Sequence, residues 1–333
     1  MKNTLLLILV CLSSALAAGR IYVSPMGGNN AVGDSWATAT ALHTALSNAQ
    51  AGDEIFVLQG TYLTSATNDR NESFTVPAGV HLYGGFQGHE YSMDDRDPAI
   101  RSVLSGDLGQ PGQPADNAYT VVRLNSRGDY GSTLDGFVVS GGTARNFLEG
   151  FSANSAGGGL YIASDGTSAS THMIYNCTFQ NNLAHNGGAI YVDGGRPSFV
   201  SCIFTENKAD FNGGAVYNQG VEGDASPIFR NCHFEDNTSN SGAGMTNNGA
   251  NGSARPLIIS CAFVNNFSTL NGAAIYNLDN DNGECEPVLE GCSFVGNLSV
   301  IGNDVSDLGI SVSISRQAKE NGGGNLSPTK RRK

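Results

Sequence analysis

The chain is short of positive charge. It carries 18 Lys and Arg against 30 Asp and Glu in 333 residues. Six of the basic side chains lie from Arg316 onward and another is Lys2, so the body between holds 11 basic and 29 acidic residues. Without a basic stripe to neutralise phosphates, a nucleic-acid groove is excluded. Long helix-forming runs are missing too. No stretch beyond residue 18 is long and apolar enough to cross a bilayer as a helix. The six His show no metal-ligand spacing, and no Gly-Lys-Ser/Thr follows the Gly-rich runs, so no phosphate loop is present.

What is there begins with Met1-Lys2-Asn3, an apolar run to Leu12, and small residues ending in Ala15-Leu16-Ala17-Ala18. This pattern predicts a secretory signal peptide over residues 1–18 and an exported mature chain, soluble or peripherally attached. Val10 stands before Cys11, where lipid attachment needs a small residue. Gly is abundant, at 44 residues, and Asn is frequent. Such a composition fits short strands joined by many tight turns.

Six cysteines remain, and five share one context. They open Cys177-Thr178-Phe179, Cys202-Ile203-Phe204, Cys232-His233-Phe234, Cys261-Ala262-Phe263 and Cys292-Ser293-Phe294, with Asn182, Asn207, Asn237, Asn266 and Asn297 three residues after each Phe. Gly-rich strands follow, as Gly187-Gly188-Ala189-Ile190-Tyr191, Gly213-Gly214-Ala215-Val216-Tyr217 and Gly272-Ala273-Ala274-Ile275-Tyr276. Such a period is a solenoid signature. Side chains alternate along a strand, so Cys and Phe point the same way, inward. With coils about 4.8 Å apart, equivalent residues should stack as a Phe column and a Cys ladder. Parallel, in-register side chains give poor disulfide geometry, so the ladder is read as free thiols. Cys285 and Cys292 are close enough in sequence to pair. The five Asn are assigned to turns with left-handed backbone, stacking amide on amide.

The fold class is therefore all-β: a right-handed parallel β-helix, over residues 53–315, preceded by an N-terminal cap at 19–52. The cap contains a strand at Ile21–Pro25 and a helical pattern over Ser35–Ala49, with Leu42, Ala45, Leu46 and Ala49 on one face. Further strands are read at Val80–Tyr83, Ser102–Leu104, Thr120–Leu124 and Leu134–Val139, giving roughly nine coils. Residues 316–333 read as a disordered basic tail.

Two resemblances follow from these residues. Phe179/Asn182 with Gly187-Gly188-Ala189-Ile190, and Phe204/Asn207 with Gly213-Gly214-Ala215-Val216, resemble the repeats of chlamydial polymorphic outer-membrane proteins. That resemblance implies an adhesin-type passenger at the cell surface. Tyr22-Val23-Ser24-Pro25, Gly52-Asp53-Glu54-Ile55 and Leu82-Tyr83-Gly84-Gly85-Phe86 resemble secreted β-helix repeat proteins of the pectate-lyase-like superfamily. Lyases of that superfamily imply a carboxylate cluster with Ca²⁺ and a Lys or Arg base. Related hydrolases imply Asn-Thr-Asp and Gly-His-Gly motifs, and both are absent here. Asp94-Asp95 is read as a solvated loop pair, and no catalytic residue is assigned.

Two sets of candidate binding residues remain. Tyr191, Tyr217 and Tyr276 recur at one repeat position and would form an outer aromatic row for sugar rings or a protein partner; the alternative is that they only cover the sheet. Glu206, Glu235 and Asp236 lie on neighbouring coils, where stacked carboxylates could take Ca²⁺ or form a solvated acidic edge. The function expected is a secreted or surface β-helix with a structural, adhesive or glycan-binding role. Polysaccharide or a host or cell-surface protein would be the partner, and a polysaccharide lyase or glycoside hydrolase is the alternative.

Overall fold

The computed structural model describes residues 18–125, 130–146, 154–163, 171–220, 223–278, 282–300, 305–308 and 313–314. The expected signal peptide at 1–18, apart from its last residue, and the tail at 316–333 lie outside the described residues.

The chain winds as a right-handed parallel β-helix with four sheets. In the coil after Tyr175 the order is plain. Met173–Tyr175 lies in sheet I, Thr178–Gln180 in sheet II, Leu183–Asn186 in sheet III and Ile190–Asp193 in sheet IV. The next coil repeats it with Ser198–Val200, Ile203–Thr205, Lys208–Asn212 and Val216–Gln219. Sheet I holds ten strands, sheets II and IV eight each, and sheet III six, among the described residues. Eight strands of sheet II lie among the described residues, where the spacing gives roughly nine coils.

Three corners shape each coil, and each needs one residue with left-handed backbone. The first corner uses Asn176, Ser201, Asn231, Ser260 and Gly291, at φ from 49° to 62°. The second uses Asn181, Glu206, Asp236, Asn265 and Gly296, at φ from 52° to 66°. The third uses Gly157, Gly187, Gly213, Gly242 and Gly272. This corrects the sequence assignment by one residue. The repeat Asn is not the left-handed residue; it follows that residue and points inward. It also splits the expected strand Leu134–Val139. Gly136, at φ 82°, turns the chain between Thr133–Asp135 in sheet I and Phe137–Ser140 in sheet II.

The interior consists of columns. Phe179, Phe204, Phe234 and Phe263 are wholly buried, and with Phe294 they stack at centroid distances of 5.4, 4.6, 4.5 and 5.2 Å. Offset stacking of this kind adds roughly 0.5–1.5 kcal/mol per pair beyond area burial. Beside it run Cys177, Cys202, Cys232, Cys261 and Cys292, all buried and all free thiols. Their sulfurs lie near main-chain carbonyls, as Cys177 near Leu134 at 3.5 Å and Cys292 near Ile258 at 3.3 Å. Cys285 is likewise in no disulfide and occupies another column, continuing Ala225 and Ala254, with its thiol 3.3 Å from the Asn247 carbonyl. The Cys285–Cys292 pair therefore does not form.

The Asn column is buried and closed on itself. Asn207 donates its backbone N–H and Nδ2 to Asn237 Oδ1, both at 3.0 Å, and Nδ2 also to the Phe179 carbonyl at 2.9 Å. Asn182, Asn237 and Asn266 repeat the pattern upward to Asn297. Coil-to-coil stacking of the amides is as expected, and it satisfies polar groups that would otherwise be costly to bury. A second interior amide column, which the spacing did not reveal, replaces Val192 with Asn218, Asn247 and Asn277 in sheet IV. Asn218 Nδ2 donates to Asn247 Oδ1 at 2.7 Å, and Asn247 Nδ2 to Asn277 Oδ1 at 2.8 Å.

At the N-terminal end, Arg20–Gly28 joins sheet I by pairing with Glu54–Leu58. The helical pattern resolves into a 3-10 turn at Trp36–Thr38 and helix α1 at Leu42–Asn48. Thr40, between them, instead bridges to Val23 and Gly28. Helix α1 buries Leu42, Ala45 and Leu46 in the core and stacks His43 on Phe74 at 4.8 Å. It shields apolar surface that an open solenoid end would expose.

Candidate binding face

The tyrosines do share an outer column of sheet IV. Register places Arg123, Tyr161, Tyr191, Tyr217, Thr246 and Tyr276 on successive rungs. Tyr161, Tyr191 and Tyr217 stack with 5.3 Å between centroids at both steps, their planes within 8°. Thr246 breaks the row before Tyr276. Tyr217 and Tyr276 each expose only 6% of their surface, so the continuous exposed row expected from the repeat is not formed. Asn248 Nδ2 donates to the Tyr217 hydroxyl at 2.7 Å and to Gln219 Oε1 at 3.0 Å. Tyr161 donates to Asp193 Oδ2 at 3.1 Å. Burial raises the pKa of Asp193, against that hydrogen bond, and raises those of Tyr161, Tyr191 and Tyr217. Arg123 lies over Tyr161 and donates to Ser73 and Asn154. The column is a hydrogen-bonded cover in which the rings of Tyr161 and Tyr191 are part-exposed.

The acidic residues take two different positions. Glu206 and Asp236 are the left-handed residues of the second corner on adjacent coils, at φ 55° and 53°, and both are exposed. Glu235 stands on the outer face of sheet II, with Oε2 3.2 Å from His233 Nε2. Among the described residues no group of three or more His, Cys, Asp or Glu is arranged to hold a metal ion. Asp95 accepts from the backbone of Tyr91 and Ser92 and from the Ser92 hydroxyl. These bonds hold its pKa below the ordinary carboxylate value, and they make it the partner of the cap residue Ser92 in the capping box of the Met93–Asp95 turn.

Two charge clusters were not legible in the sequence. Arg96 Nη2 bonds Asp135 Oδ2 at 2.7 Å, largely buried, and Nη1 donates to the Gly84 carbonyl at 2.9 Å. This pair pins the 87–101 loop over sheet I. On sheet III, Asp210 meets both Arg145 and His185, whose Nδ1 lies 2.9 Å from Asp210 Oδ2. Burial lowers the His185 pKa against the pull of Asp210. The three come together because the Lys208–Asn212 strand is one residue longer than its neighbour and shifts register there. A bulge of that kind re-aims side chains, and the repeat spacing does not announce it.

The outer face of sheet II is part-exposed. Its outward positions run Val138, Thr178, Ile203, His233, Ala262 and Ser293 in one column, and Ser140, Gln180, Thr205, Glu235, Val264 and Val295 in the next. The inward positions hardly vary, while these change from rung to rung. Ile203 and Val295 expose 42% and 46%.

With this geometry in hand, residues 176–193 and 201–219 match the Chlamydia polymorphic membrane protein repeat. Each match runs from the first-corner residue to the end of the sheet IV strand, which is one coil without its sheet I segment. Fold and repeats together define a parallel β-helix repeat protein. Three solved structures are similar at 13% identity. Pectate lyase Pel9A has a TM-score of 0.48, covering 92% of this chain and 82% of that one. A rhamnogalacturonan lyase has 0.41, covering 84% and 74%. Escherichia coli YbhC has 0.45, covering 88% and 75%. No curated protein matches the chain.

Proposed function

We propose that this protein is a secreted or cell-surface β-helix whose role is adhesive or glycan-binding rather than catalytic. The observation that supports this is the division of labour across sheet II. From Cys177 to Asn297 the inward Cys, Phe and Asn are constant, while the outward columns change at almost every rung. Rigid strands with about 4.8 Å between rungs can present such a surface without disturbing the columns beneath. Tyr191, beside Tyr217 and three rungs from Tyr276, offers a second contact on sheet IV, and Glu206, Glu235 and Asp236 would add Ca²⁺ dependence if the ion joins the ligand.

The test is binding of the mature chain to a glycan array and to cultured epithelial cells, with and without Ca²⁺. A parallel screen follows unsaturated products and reducing ends from polysaccharides. Saturable binding weakened about tenfold by I203D together with V295D, with no turnover, is the expected result. The two outward contacts together carry roughly 1.4 kcal/mol, which is a factor of about ten. Turnover of any polymer by the folded protein would replace the reading with a lyase or hydrolase.

A further inference from the structure

The outer face of sheet I changes character along the solenoid. On the lower rungs Tyr22, Phe56, Tyr83 and Asp135 form one outward column. Residues 87–101 lie over it, with Met93 packed on the ring cluster and Arg96 pinned to Asp135. Register carries this column upward through Tyr175 and Val200 to Arg230, Ile259 and Glu290. Ile228, Leu257 and Val288 stand beside those last three in the next outward column. The residues between them, Phe229, Ile258 and Leu289, are buried, so these six side chains point outward. Arg230 and Glu290 are exposed, and the four aliphatic side chains are part-exposed. The upper face is a small apolar patch with one cation and one anion set into it.

The two charges sit one rung below and one rung above Ile259. Two rungs are roughly 10 Å, with Ile259 between, so they do not pair with each other. Neither joins an ion pair among the described residues. The order Arg, Ile, Glu is, however, complementary to itself. Consider a two-fold axis between two such faces, parallel to the strands and level with Ile259. It inverts the rung order and keeps each column opposite its own copy. Ile259 and Leu257 then meet their counterparts, Ile228 meets Val288, and Arg230 meets Glu290 twice. Moving the axis level with Arg230 or Glu290 sets like charges together. Moving it half a rung sets each charge on an aliphatic side chain, which costs desolvation without a partner. At the rim Arg255 is level with the same axis, but Glu284 already holds it at 3.0 Å.

We propose that this part of sheet I is a docking surface for a second copy of the chain. The two copies meet face to face, sheets about 10 Å apart and solenoid axes antiparallel, in an isologous contact. The aliphatic pairs supply the attraction, and the two Arg230–Glu290 contacts fix the register. The Arg96–Asp135 pair lies four rungs below Ile259, so the loop it pins stays clear of the contact. Three rungs make a small interface, at the weak end of specific ones, and the dimer forms in a concentration-dependent way. The outer face of sheet II plays no part in this inference, and either reading can fail alone.

The test is sedimentation of the mature chain at low salt, from micromolar to millimolar concentration, where a monomer–dimer equilibrium is expected. R230E and E290R should each weaken self-association at least about tenfold, because every homodimer then opposes like charges twice. Mixed one to one, the two variants should dimerise about as well as the unaltered chain, since the mixed pair has opposite charges at both contacts. Both substitutions are at exposed positions, and unchanged unfolding midpoints show that the fold is kept. I259D should remove association from the unaltered chain and from the mixture alike. A chain that stays monomeric throughout, single variants that associate as the unaltered chain does, or a mixture no better than its components overturns the proposal.

Discussion

Each corner of a coil demands left-handed backbone, but the corners differ in the room they leave for a side chain. A Cβ on Gly213 would sit 2.4 Å from the Val216 carbonyl oxygen, whereas one on Gly291 would meet nothing nearer than 3.7 Å, the Ser260 hydroxyl. That difference explains why Asn and Ser stand at the first corner and only Gly at the third. G213A should therefore cost more than about 2 kcal/mol, because backbone strain adds to the roughly 1–2 kcal/mol of left-handed Ala. G291N should change stability by less than about 1 kcal/mol. Equilibrium denaturation of both variants checks the pair. The sequence was legible at this scale where one residue type recurs in one role, as with Phe and Cys. It misled at Asn, because the turning residue and the inward residue are neighbours and Asn suits both.

Among elements, the Asn column is the most demanding. Asn237 donates to Asn266 and to the Phe204 carbonyl while accepting from Asn207. An Asp there accepts but cannot donate, and it sets oxygen against oxygen in a buried site. N237D should lose about 3 kcal/mol or more. N297D, at the part-exposed end of the column, should lose under about half of that. Unfolding midpoints of the two, measured side by side, decide it. The later strands could be placed from sequence because Cys-x-Phe-x-x-Asn marks both the inward face and the corner. In the first coils Gly136 passed for a strand interior, since no signature flagged it. The Asp210 cluster was hidden for a related reason: its partners lie 25 and 65 residues away across a register shift. The tyrosine column could be read as a column, but its burial depends on neighbours that the repeat does not encode.

At the scale of the whole molecule, stability should depend on pH through the buried ring of His172, with His185 acting in the same direction. His172 is fully buried and accepts from the Ser132 N–H at 3.0 Å through Nδ1. Burial lowers its pKa from the usual 6.5 to about 4. Above pH 6.5 the ring is neutral whether the chain is folded or not. Between 6.5 and 4 the unfolded chain takes up a proton that the folded one refuses, so stability falls as pH drops through that window. The contribution is about 3 kcal/mol across the range. Denaturation from pH 7.5 to 4.5 should show this fall, and H172Q, which keeps an acceptor for Ser132, should flatten it. A solenoid differs from a globular core in that its coils need not open together. Five of these coils each seal one sulfur in the column from Cys177 to Cys292, and burial lifts the Cys177 thiol to about 12. The molecule thus carries its own graduated gauge: the number and position of sulfurs that take up a thiol reagent report how many coils have come apart, and from which end.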